Sequence, residues 1–88
     1  MDRYTIVDWD DDEDATGNGQ HIAENGLTKQ EVESVLLRPG TQVEFSRSSM
    51  RPIIFGETDT GRFIAVVYEE LCDDPEIIRP ITAYEVEP

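Results

Sequence analysis

Two apolar segments joined by a three-residue turn constrain this chain more than any other feature. Arg51 to Thr58 and Arg62 to Glu70 alternate at the two-residue period of a strand, and Asp59-Thr60-Gly61 separates them. A turn of that length needs one residue in the left-handed region, and Gly61 takes that conformation without a Cβ penalty. With Thr58 facing Arg62, the register puts Ile54 opposite Val66 and Phe55 opposite Ala65. Both faces of such a hairpin are apolar, so it belongs in the interior of a sheet and not at its rim.

The segment before it reads as helix. Thr28 and Glu31 have capping-box spacing, in which each side chain satisfies a backbone donor left open at the helix start. Leu27 and Val32 flank the cap as a hydrophobic staple, and Val32, Val35 and Leu36 share one helical face. Arg38-Pro39-Gly40 ends that helix, because proline lacks the next donor. A shorter helix is expected over Asn18 to Glu24, stopped by Asn25-Gly26.

Further strands are expected at Thr41 to Phe45 and at Glu76 to Thr82, with Ser46 to Ser49 as a turn and Leu71 to Pro75 as an acidic loop. Pro80 argues against a central ladder position for the last strand. Thr5-Ile6-Val7 has the residues to start one more short strand. The expected fold class is α+β: an antiparallel sheet of about four strands with two N-terminal helices packed on one face. The 88 residues make a single domain, 1–88, too small for two lobes around a deep cleft.

Charge is distributed unevenly. The formal net charge is -13, with -8 in residues 1–37, +1 in residues 38–68 and -6 in residues 69–88. So acidic a chain repels nucleic acid at long range, which disfavours RNA as a partner unless a local basic patch exists. Only the middle third offers one. The longest apolar run, Phe63 to Tyr68, is far short of the roughly 20 residues of a membrane span. The N-terminus lacks the regions of a signal peptide, and Cys72 has no partner for an internal disulfide. These points favour a cytoplasmic protein with no membrane partner.

Metal and cofactor chemistry find little support. The run Asp10 to Asp14 matches two calcium-loop positions, but Ala15 and His21 stand where the EF-hand needs glycine and a bidentate glutamate. We read residues 10–17 as a solvated loop. One cysteine and one histidine cannot build a zinc site, and neighbouring acids disfavour a Cys72 thiolate. No metal and no cofactor are expected.

His21 has a pKa range suited to proton transfer. Its bland alternative is a partly buried histidine bonded to a neighbour. Arg51, Arg62 and Arg79 would form a phosphate grip if they shared a sheet face, and would be ordinary ion-pair partners otherwise.

The order of motifs resembles one family. Trp9-Asp10, then Asn18-Gly-Gln-His21-Ile-Ala-Glu-Asn25-Gly-Leu-Thr28 leading into the helix, looks like the opening of BrnT-like proteins. Gly56 through Gly61-Arg62 before an apolar strand resembles their central hairpin, and Arg79-Pro80-Ile81-Thr82 with Glu85 resembles their ending. Members of that family are toxins of type II toxin–antitoxin pairs. The resemblance implies a RelE-like α+β fold, metal-independent RNA cleavage and a BrnA-type antitoxin partner. It implies Arg62 and Arg79 as site residues most directly, with Arg51, His21 and Glu85 beside them. The alternative is a non-catalytic acidic relative that acts as a protein-interaction module, for which charge favours a basic partner.

Overall fold

In the computed structural model the described residues are 5–37, 43–45, 51–73 and 75–86, with backbone only at 43–45. The elements run β1 (Thr5–Val7), α1 (Asn18–Glu24), α2 (Lys29–Leu36), β2 (Val43–Phe45), β3 (Pro52–Glu57), β4 (Phe63–Asp73) and β5 (Glu76–Glu85). The expected helix end at Arg38-Pro39-Gly40 and the turn at Ser46 to Ser49 lie outside the described residues, as do Thr41 and Gln42 of the expected strand.

The strands form one five-stranded sheet in the order β1-β5-β4-β3-β2. The β3–β4 hairpin has the expected register, Ile54 with Val66 and Phe55 with Ala65. Gly61 holds φ +86° in the turn, and the Thr58 amide donates to the Arg62 carbonyl at 2.7 Å. Because β4 lies between β5 and β3, its Ile64, Ala65 and Val66 are fully buried.

Three expectations need correction. The sheet is mixed, not antiparallel throughout, because β1 pairs parallel to β5. A three-residue strand carries too little pattern to reveal its partner or direction. The strand β5 is interior, between β1 and β4, in spite of Pro80. Pro80 sits opposite Tyr68 at a register shift, where a missing donor is tolerated. Leu71 to Asp73 continue β4 across a second irregularity; they are not loop.

Both helices form where expected. At α2 the capping box closes in both directions: Glu31 N–H donates to Thr28 Oγ1 at 3.1 Å, and Thr28 N–H donates to Glu31 Oε1 at 3.1 Å. The helix α1 ends on Asn25, with Gly26 at φ +80°. Ile22 of α1, Leu27, and Val32, Val35 and Leu36 of α2 join Ile54, Ile64, Val66, Ile78 and Ala83 in a single buried cluster. Each Val, Leu or Ile among them contributes roughly 1.5–3 kcal/mol on burial. The helix approaches the sheet closely at Gly56, where an added Cβ would lie 3.1 Å from Val35 Cγ1. No helix among the described residues is long and apolar enough to cross a membrane.

Candidate functional site

The arginines expected to act together are held in separate ion-pair networks. Arg62 leaves the hairpin turn and reaches back towards the helices. Its Nη1 donates to the Gly26 carbonyl at 2.7 Å and lies 3.4 Å from Glu31 Oε2; its Nη2 donates to Glu85 Oε1 at 3.0 Å. The bond to Glu85 is the main reason its pKa is raised, against the opposing effect of burial.

Glu31 is the hub of this network and is itself buried. It accepts from Thr60 Oγ1 at 2.7 Å in addition to its capping-box bonds to Thr28. The Thr60 hydroxyl holds its carboxyl below the usual range; burial opposes this, and the Thr28 amide and Arg62 reinforce it. A charged side chain taken out of water needs such a complete set of partners, since leaving one unmet costs more than the set returns. Three roles therefore fall on one residue: Glu31 caps α2, receives the hairpin turn through Thr60, and neutralises Arg62.

Arg79 belongs to a second network at the other end of β5. It grips Asp10 with two bonds, Nη1 to Oδ1 at 2.9 Å and Nη2 to Oδ2 at 2.6 Å, and Nη1 also reaches Asp8 Oδ2 at 3.2 Å. This fork-to-carboxylate geometry is the strong form of the pair. Asp10 is pulled below its usual pKa first by Arg79 and then by the Asn18 amide, and Arg79 is raised further by the same contacts.

Asn18 ties that network together; it lies in the resemblance motif but is not among the expected site residues. It accepts from the Asp10 amide at 2.8 Å and donates to the carbonyls of Asp8 at 3.0 Å and Pro80 at 2.9 Å. Its own amide donates to Asp10 Oδ2 at 2.9 Å. It is buried with every polar group satisfied, and it joins the end of β1, the start of α1 and the β5 irregularity. The packing is tight enough that an added Cβ on Gly17 would meet Asp10 Cβ at 2.7 Å. Its sequence signals were its place directly after Gly17 before a short helix and its position three residues before His21 in the resemblance motif.

His21 is exposed on α1, which overturns the expectation of a partly buried, neighbour-bonded ring. With Thr16, Asn18, Arg79, Pro80 and Ile81 it lines an open cavity of about 290 Å³. Arg51 is elsewhere, at the start of β3, with Nε 4.0 Å from Glu69 Oε2. Glu85 and Arg79 lie six positions apart on β5, or about 20 Å of strand. The fold thus pairs His21 with Arg79, and Arg62 with Glu85, and separates the two pairs.

The acidic segment is partly anchored. Trp9 Nε1 donates to Glu33 Oε1 at 3.0 Å, the Lys29 ammonium lies 5.6 Å from the Trp9 ring centre, and Lys29 also pairs with Asp12. Asp14 bonds its own turn through the Thr16 amide at 3.0 Å. No cluster of three or more His, Cys, Asp or Glu suited to a metal occurs among the described residues. No family model, curated protein or solved structure matches this chain.

Proposed function

We propose that this chain is a non-catalytic protein-interaction module whose arginines support its own fold. The observation that carries this reading is the capture of Arg62 and Arg79 by carboxylates. Arg62 meets Glu31 and Glu85, while Arg79 meets Asp8 and Asp10. A phosphate gripped by Arg79 would have to displace Asp10 and would then sit beside two carboxylates. A grip shared by Arg62 and Arg79 would have to span the length of β5. At a net charge of -13 the approach of RNA is opposed as well.

A second reading, favoured by one observation, is a BrnT-like toxin with a RelE-like fold. His21 and Arg79 share a cavity with Asn18, and all three fall on positions of the resemblance. In that reading His21 moves a proton and Arg79 holds the scissile phosphate of RNA. Arg62, Glu85 and Arg51 support the site electrostatically, and a BrnA-type antitoxin covers it. The 2′-hydroxyl would be the nucleophile and no metal would be required.

The two readings separate in one assay. The purified protein is incubated with single-stranded RNA at low salt in the presence of a chelator, and binding and cleavage are both followed. The interaction reading expects neither. Cleavage that is lost in His21→Ala and Arg79→Ala, in variants with unchanged circular dichroism, would establish the ribonuclease and remove the first reading.

A further inference from the structure

We propose that Asn25-Gly26 is a spontaneous deamidation site whose conversion releases the C-terminal end of α1 from β5. This is independent of both functional readings, since it rests on how α1 is attached and not on what the chain binds.

Two asparagine side chains pin α1 to β5, one at each end of the helix. Asn18 donates to the Pro80 carbonyl at 2.9 Å. Asn25, just past the last helical residue, donates to the Ala83 carbonyl at 2.8 Å. Each is followed by glycine, giving Asn18-Gly19 and Asn25-Gly26. Glycine has no Cβ to shield its backbone nitrogen, and it admits conformations closed to other residues. In an Asn-Gly pair that nitrogen therefore reaches the asparagine side chain more readily than in other pairs.

The chemistry needs only water. The Gly26 nitrogen gives its proton to solvent and attacks Asn25 Cγ, forming a C–N bond. The Cγ–Nδ2 bond breaks, and the side-chain nitrogen takes up a proton and leaves as ammonia. A five-membered succinimide remains. Water opens this ring at Cγ to give aspartate, or at the Asn25 main-chain carbonyl to give isoaspartate, whose backbone runs through Cβ and Cγ. The sum is amide plus water to acid plus ammonia, with no change of oxidation state.

The structure distinguishes the two pairs. Asn18 is 5% exposed, and its side chain is held by the Asp10 amide and by the Asp8 and Pro80 carbonyls. Freeing it requires opening the network around Arg79. Asn25 is exposed, and among the described residues its side chain is held by the bond to Ala83. The Gly26 amide donates to the Ala23 carbonyl at 3.0 Å, in the last turn of α1, and Gly26 itself is outside the helix at φ +80°. A terminal turn opens at far lower cost than a buried network.

Either product removes the donor facing Ala83 and leaves a carboxylate, which only accepts. Isoaspartate also lengthens the main chain at the joint between α1 and α2, where the Gly26 carbonyl receives Arg62 Nη1 at 2.7 Å. Of the two side-chain pins, Asn18 then remains. His21 lies on α1 between them, so the wall it gives to the cavity loosens with the helix end.

The test incubates the full chain in mildly alkaline buffer and follows each asparagine by peptide mass mapping, with isoaspartate scored separately. Amide exchange of α1 is measured on the same samples. The expected result is conversion at Asn25 at least about tenfold faster than at Asn18, with faster exchange in the last turn of α1 in the converted fraction. Asn25→Gln should stay unconverted, because its longer side chain would have to close a six-membered ring. Asn25→Asp, one of the two products made directly, should show the fast exchange from the outset. Conversion no faster at Asn25 than at Asn18, or Asn25 intact after the urea-unfolded chain has converted, would overturn the site. Conversion that leaves α1 exchange unchanged, or Asn25→Asp with the exchange of the parent chain, would overturn the release.

Discussion

The two faces of the sheet are built from alternate residues of the same strands, and they differ in what covers them. Ile64 and Val66 point into the cluster with α1 and α2 and are fully buried; Phe63 and Val67, their neighbours in β4, stay partly open on the other side. Hydrophobicity and strand propensity are alike for the two sets, so neither explains the contrast. The covered face meets the apolar sides of α1 and α2, and a polar network ties the same elements together. The capping box, the Glu31–Thr60 bond and the Arg62 contacts to Gly26 and Glu31 bring α2 and the hairpin turn together. At the other end, Asn18 fixes the start of α1 to β5 through the Pro80 carbonyl. The helix face is the more deeply buried of the two, and the other keeps part of its apolar surface exposed.

The sharpest way to break this contrast is to truncate one residue on each face. Ile64→Ala should cost about 2–5 kcal/mol in urea unfolding, as cavity formation in a packed core does. Val67→Ala, one face over, should cost about 1 kcal/mol or less, because its side chain already meets solvent. Equal losses would show that the open face is as tightly packed as the other.

The polar attachment of the helix face is tested next. Thr28→Ala removes one half of the capping box and should lower stability by about 1 kcal/mol, within a range of roughly 0.5–2. A loss below about 0.3 kcal/mol would mean that the helix is held by apolar packing alone.

Acid unfolding probes the same attachment. Glu31 titrates below its ordinary value of 4.5 in the folded protein. Its stabilising contribution is therefore complete above about pH 4.5 and is lost as the pH falls through the lowered value. Glu31→Gln should flatten the fall in stability below about pH 4.5 relative to the parent chain. Asp10, lowered from 3.8, contributes in the same direction over a more acidic range, so some slope should persist in the variant. An unchanged profile would remove Glu31 from the account.

The smallest expected effect belongs to the open face. Tyr84→Ser should change stability by no more than about 0.5 kcal/mol, measured by urea midpoint. A larger loss would show that Tyr84 supports the fold as well as lining the surface.

Much of the fold was legible because its signals are local. The capping box, the Asn25-Gly26 stop and the Gly61 turn each depend on residues within a few positions of one another, and each formed where expected. The hairpin register followed from the turn length. What failed depended on distant partners. The parallel pairing of β1 joins residues 71 positions apart, and the interior place of Pro80 depends on a register shift against β4. The candidate site was legible only as a list of residue types. Arg51, Arg62, Arg79, His21 and Glu85 are capable of phosphate chemistry in isolation, and nothing local discloses which carboxylates will reach them. The role of Asn18 was not legible, because its bonds cross a loop to Asp8 and Asp10 and reach Pro80, 62 positions away.

By itself, then, the sequence determined the periodicities, the caps, the turn and the acidity of the ends, since each is a property of neighbouring residues or of their sum. Tertiary structure alone decided that β1 runs parallel, that one apolar face is more deeply buried than the other, and that Arg62 and Arg79 are neutralised from within. Those outcomes depend on long-range geometry, where a guanidinium and a carboxylate many residues apart meet only once the chain has folded between them.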